Sequence, residues 1–125
     1  MTAPTPNVAL LRQTLAKIEA LPDLWNQHRY RCGTGMCIAG WGCELAGGRW
    51  LHAPDGFWPD LLVAETGDDP EIIRRLDDRD VIDVGIRARR IFGLTYSQAE
   101  VLFDAENDLD DLRRIVGELC AGAES

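Results

Sequence analysis

The sequence predicts a mostly α-helical fold: a single compact domain of about five helices, with a small irregular or β-hairpin insertion around residues 49–66. Three observations carry this expectation. Apolar residues recur every three or four positions in several stretches. Those stretches are bracketed by residues that start helices and by glycines or prolines that stop them. The middle of the chain instead holds two short aromatic runs around an Asp-Gly pair. A length of 125 residues suits one domain, read as 7–122 after an unstructured lead at 1–6.

Asn7 is placed to cap a first helix in which Val8, Leu11, Leu15 and Ile18 form one stripe, and Pro22 ends it. A second helix is expected over 36–46 with Thr34 as its cap. In it Ile38, Trp41 and Leu45 form one stripe, Ala39, Cys43 and Ala46 a second of small residues, and Gly47-Gly48 a stop. Gly40 and Gly42 each weaken that helix by about 1 kcal/mol relative to Ala, which suggests that another backbone packs closely there. "RWLHAPDGFW" reads as a turn at Asp55-Gly56, and "PDLLVAE" as a helical turn or a strand. Asp69, Pro70 and Glu71 make a good start for a short helix in "DDPEIIRRL". Val81, Val84, Ala88 and Ile91 suggest a helix of about three turns, stopped near Gly93. Thr95 and Gln98 form a capping box, with Leu94 and Ala99 as its hydrophobic staple. Asn107 or Asp108 caps a last helix with Leu109, Leu112, Ile115, Val116 and Leu119 on one face and Gly122 just past its end.

Charge narrows the function. The formal net charge is −8, and it lies entirely in residues 63–125, where sixteen acidic side chains face eight basic ones. That balance argues against nucleic-acid binding, which needs a basic surface, and permits a basic partner. The longest run without charged or strongly polar side chains, 35–43, falls far short of the roughly 20 residues that span a bilayer. The N-terminus has no basic region leading into an apolar one, so a cytoplasmic protein with reduced cysteines is expected.

Several side chains are candidates for chemistry or contact. His28, Cys32 and Cys37 have spacings near those of zinc sites, with Cys43 or His52 to complete the set, and Cys32 with Cys37 has the makings of a redox pair. With Thr34 as cap, Cys37 would fall in the first helical turn, where the helix dipole lowers a thiol's pKa. The bland alternative makes Cys37, Cys43 and Cys120 small buried apolar residues. Trp50, Phe57 and Trp58 flank the central turn as an aromatic anchor for a partner, or else cover a small core. The acidic run including Asp77, Asp78 and Asp80 suits a basic partner or a mimic of a phosphate backbone. Alternatively, Arg74, Arg75, Arg79, Arg87, Arg89 and Arg90 interleave with these acids as solvated ion pairs. Thr34, Gly40, Trp41 and Thr95 are read as structural. No nucleophile elbow, phosphate loop, zinc-protease helix or dinucleotide fingerprint is present, so the chain reads as non-enzymatic and without a cofactor, zinc being the alternative.

"CGTGMCIAGWG", with Trp25 upstream and "LAGG" downstream, resembles a C-G-T-x-x-C-I-A-G-W-A motif of small actinobacteriophage and actinobacterial proteins, mostly of unknown function. The tail "IFGLTYSQAEVLFDAENDLDDLRRIVGEL" is similar to the tail such proteins often carry. Gly42 stands where the motif has Ala. The resemblance implies a phage accessory protein and no particular activity. Together with the absence of catalytic motifs, it leads to the expectation of a protein that binds a host protein.

Overall fold

Among the described residues the chain forms five α-helices, and its middle folds into a four-stranded antiparallel sheet. The computed structural model describes residues 4–25, 27, 37–53, 56–76 and 78–124; at 24, 51–53 and 56–60 the description is of the backbone. Helix α1 spans Val8–Ala20, and the Asn7 side chain accepts from the Leu10 amide as its cap. Leu21 closes it, and a single 3-10 turn comes next at Pro22–Leu24. Helix α2 spans Ile38–Leu45. Its end is closed by the Gly48 amide reaching back to the Cys43 carbonyl, with Gly47 at φ 83°.

Strands β1 (Trp50–Ala53) and β2 (Gly56–Val63) form the expected hairpin, connected through 54–55. Gly56 is paired with Ala53, so it belongs to the second strand and not to the turn. Strands β3 (Arg74–Leu76) and β4 (Arg79–Asp83) form a second hairpin that adds to the first in the order β1-β2-β4-β3. Here the structure corrects the sequence reading twice. The short helix expected from Asp69 is a turn: the Asp69 carboxylate accepts from the Glu71 amide and its carbonyl from the Ile72 amide, and the chain then runs extended. Val81 lies in a strand, and the next helix is shorter than expected: α3, Val84–Phe92.

Helix α3 ends in a Schellman arrangement, with Gly93 left-handed at φ 69°, Leu94 N–H bonded to Arg89 O and Gly93 N–H to Arg90 O. A Cβ at Gly93 would lie 2.0 Å from the Thr5 carbonyl oxygen, so glycine both makes the turn and admits the N-terminal segment. Residues 4–6, read from the sequence as part of an unstructured lead, pass across this point, and the Asn7 amide bonds to Phe92 O. Helix α4 (Tyr96–Leu102) carries the complete Thr95–Gln98 capping box. Helix α5 (Leu109–Glu124) begins with a reciprocal pair: the Asp111 amide donates to the Asp108 carboxylate and the Asp108 amide to that of Asp111. It continues through Gly122 to Glu124, beyond the expected stop.

The core joins all these layers. Leu11, Ile18, Ile38, Trp41, Leu62, Ile82, Phe92, Leu102, Leu112 and Val116 belong to one buried cluster. Because side chains alternate along strands, the opposite face of the sheet buries a small second cluster, Leu61 and Val81 with Val63 and Leu76 against them. Buried Gln27 ties three elements together. Its carbonyl oxygen accepts from the Trp25 indole and the Ile38 amide, and its amide nitrogen donates to Leu102 O and Asp104 O. Among the described residues no helix is long and apolar enough to cross a membrane.

Candidate functional site

The cysteine-rich segment is the place to test for chemistry. Cys37 is the N-cap residue of α2, not a member of its first turn, and it is buried. Burial pushes its thiol pKa up, against lowering contacts from the Ala39 and Gly40 amides. Cys43 has no exposed surface, and its thiol is pushed up to about 12, chiefly by burial. Its Sγ–H points at Val84 O, 3.7 Å away. Both are therefore neutral thiols in the core, the reverse of the activated thiolate that the expected first-turn position would give. Cys120 is buried too. His28, Cys32 and Thr34 lie outside the described residues. Among the described residues, no group of three or more His, Cys, Asp or Glu side chains converges as a metal ion would require.

Gly40, Trp41 and Gly42 are buried in α2. Close approach at Gly42 is by a side chain, not the backbone expected: a Cβ there would lie 2.3 Å from Cζ of Phe92.

The aromatic and acidic candidates separate. Trp50 is a core residue with 7% of its surface exposed, and its indole N–H donates to Glu44 Oε2 at 2.5 Å, so its ring anchors the sheet internally. Phe57 and Trp58 lie in β2, and their side chains are outside the described residues, as is Asp77. Asp78 makes the β3–β4 turn with φ 65°, and Asp80 pairs with Arg75 at 3.2 Å. Arg74 pairs with Asp83 at 2.8 Å. These exposed pairs fit the solvated ion-pair reading.

Arg87 does not fit that reading. Its side chain is 2% exposed, and it makes a two-pronged pair with the equally buried Asp68: Nε to Oδ1 at 2.8 Å and Nη2 to Oδ2 at 2.6 Å. Nη1 reaches Glu65 and Nη2 also donates to Val63 O. The Asp68 carboxylate further accepts from the Glu65 amide. Burial alone would raise the Asp68 pKa, but these bonds and the Arg87 and Arg90 charges together hold it below the usual carboxylate range. These bonds hold Glu65 and Asp68, in the loop that follows β2, against the side of α3.

That pinned loop builds one wall of an open groove. Two adjoining depressions along the outer side of α3 make up this groove, and Ile72, Ile86, Arg89 and Tyr96 line both. The half toward α4 measures about 690 Å³ and is floored by Ile86, Ala99 and Phe103. The half toward the pinned loop measures about 740 Å³ and takes in Gly67, Asp69 and Arg90. Ile72 is 37% exposed and Tyr96 67%. The Arg89 guanidinium lies 5.7 Å from the centre of the Tyr96 ring, a cation–π arrangement. An exposed aromatic, an arginine and two isoleucines at one depression form the composition of a protein-contact hot spot.

None of these four residues is marked as a contact by the sequence. One signal for Tyr96 is present: once Thr95 caps α4 and Leu94 and Ala99 form the staple, the first helical position faces away from the core. Ile86 and Arg89 share the outer face of α3 at the helical interval, but Ile72 reaches them from the loop before β3, which no local pattern shows. No family model matches the chain, and neither a curated protein nor a solved structure does.

Proposed function

We propose that this chain is a non-enzymatic protein-binding module, a phage accessory protein that acts in the host cytoplasm by binding a host protein, with the Tyr96–Arg89 groove as its contact surface. One observation supports the choice of surface above the others. Tyr96 presents two thirds of its area to solvent in a groove it shares with the partly exposed apolar Ile72, while Trp50, the described member of the sequence's aromatic candidates, is spent on the core. The phage and host part of the reading rests on the likeness of the "CGTGMCIAGWG" stretch to actinobacteriophage proteins.

The test is a capture experiment from an actinobacterial lysate with the full chain and its Tyr96→Ala variant as baits. The expected result is a protein retained by the first and lost from the second. Recovery of nothing above background, or equal recovery by both baits, overturns the reading.

A further inference from the structure

The two halves of the groove differ in charge, and the difference describes what would fill them. At the α4 end three carboxylates, Asp83, Glu100 and Asp104, line the groove; Asp83 is paired with Arg74, which leaves Glu100 and Asp104 against the single lining cation Arg89. Arg89 is already held over the Tyr96 ring. At the other end Asp68 is taken up by Arg87 and Arg90, and Asp69 turns back onto its own loop. The excess negative charge at the groove is therefore concentrated at the α4 end, in a chain whose net charge is already −8.

We infer that the occupant of this groove is a short basic, amphipathic peptide segment of the partner protein, with apolar side chains on the Ile72–Tyr96–Phe103 surface and lysine or arginine side chains against Glu100 and Asp104. The inference rests on the docking reading above and adds the chemistry of the partner. An apolar segment alone would leave the acidic rim without counter-charges, and an acidic one would meet like charge, which costs affinity and slows encounter. A basic segment gains both the desolvated apolar contact and favourable long-range steering.

The experiment is selection of peptides from a displayed random library on the immobilised full chain at low ionic strength. Binding of the recovered peptides is then measured against Tyr96→Ala and against the pair Glu100→Lys with Asp104→Asn. Asparagine at 104 keeps an oxygen to accept from the Glu106 amide, as Asp104 does now. The expected peptides combine Lys or Arg with apolar residues, and each variant weakens them by about tenfold. Their affinity should also fall as salt rises. Tyr96-dependent peptides that are neutral or acidic, or that are indifferent to the Glu100 and Asp104 changes, overturn the basic occupant and leave the docking surface standing. Recovery of no peptide, or of peptides indifferent to Tyr96→Ala, overturns both.

Discussion

Helix α3 has two faces with opposite characters. On the inner face Val84, Ala88 and Phe92 are fully buried at four-residue intervals, and Arg87 beside them is sealed against Asp68. On the outer face Ile86 and Arg89 line the groove and meet the solvent side of the molecule. The inner face is defined by fit: the Phe92 ring occupies the space that a methyl group on Gly42 would take. The outer face opens onto the groove instead. Nine residues thus serve as a wedge on one side and a presented surface on the other. Inner substitutions should therefore change stability, and outer ones binding.

The strongest challenge to that division is Arg87→Ala. Removing one member of a buried pair leaves the other charge without compensation, a loss of about 3–5 kcal/mol that urea unfolding would register. Val63 O also loses its donor. Replacing both partners by apolar residues of similar size, Arg87→Met with Asp68→Leu, should recover most of the loss. Acid offers a second reading of the same contact. The folded Asp68 pKa lies below its ordinary value, so its stabilisation is complete above the unfolded pKa of about 3.9 and disappears as pH falls through the folded value. Asp68→Asn should flatten that acid limb of the stability curve. An Arg87→Ala protein as stable as the wild type would mean that α3 has no structural face of this kind.

Gly42→Ala comes next in size. Alanine favours a helix by about 1 kcal/mol over glycine, but the added methyl collides with a fully buried ring in a close-packed interior. Overpacking of this kind costs about 1–3 kcal/mol, so a net loss is expected despite the better propensity. A smaller residue opposite, Phe92→Leu, should make Gly42→Ala neutral or stabilising, a coupling that a double-mutant cycle measures. A melting temperature raised by Gly42→Ala alone would show the inner face to be looser than described.

How much of this was legible depended on the range of the interaction. The Asn7 cap, the Thr95–Gln98 box and the α5 stripe depend on residues within a turn or two of each other, and all appear as read. Asp69-Pro70-Glu71 misled because a helix start and a turn use the same first bonds. Whether the chain then coils or extends is decided by pairing of Arg74–Leu76 with β4, a strand farther along the chain. Val81 and Val84 are three apart, the helical interval, yet a strand runs into a helix between them without a linker. Arg87 and Asp68 are nineteen positions apart, and in the sequence they are two more charges among many. Burial of an ion pair has no local signature, so the contact that sets the groove wall was out of reach. The cysteine stretch was half legible: its small residues marked a packed helix, but the first-turn position given to Cys37 depended on a cap at Thr34 that the start of α2 at Ile38 does not support.

The smallest stability effect belongs to the residue on which the proposed function depends most. Tyr96→Ala removes a side chain two thirds exposed at the first position of α4, leaving the Thr95–Gln98 box and the buried Leu94 and Ala99 untouched. The cation–π contact with Arg89 is lost, about 0.5–1 kcal/mol at an exposed site, and alanine's good helix propensity offsets part of it. Unfolding curves of the variant and the wild type should therefore nearly coincide, while partner capture is lost and peptide binding weakens by about tenfold. A Tyr96→Ala protein destabilised as much as Gly42→Ala would place Tyr96 with the wedge, and any loss of binding would then report unfolding. Coincident curves together with lost binding would separate the two faces of α3 in the sharpest available way, because the wedge would matter for folding alone and the groove it borders for contact alone.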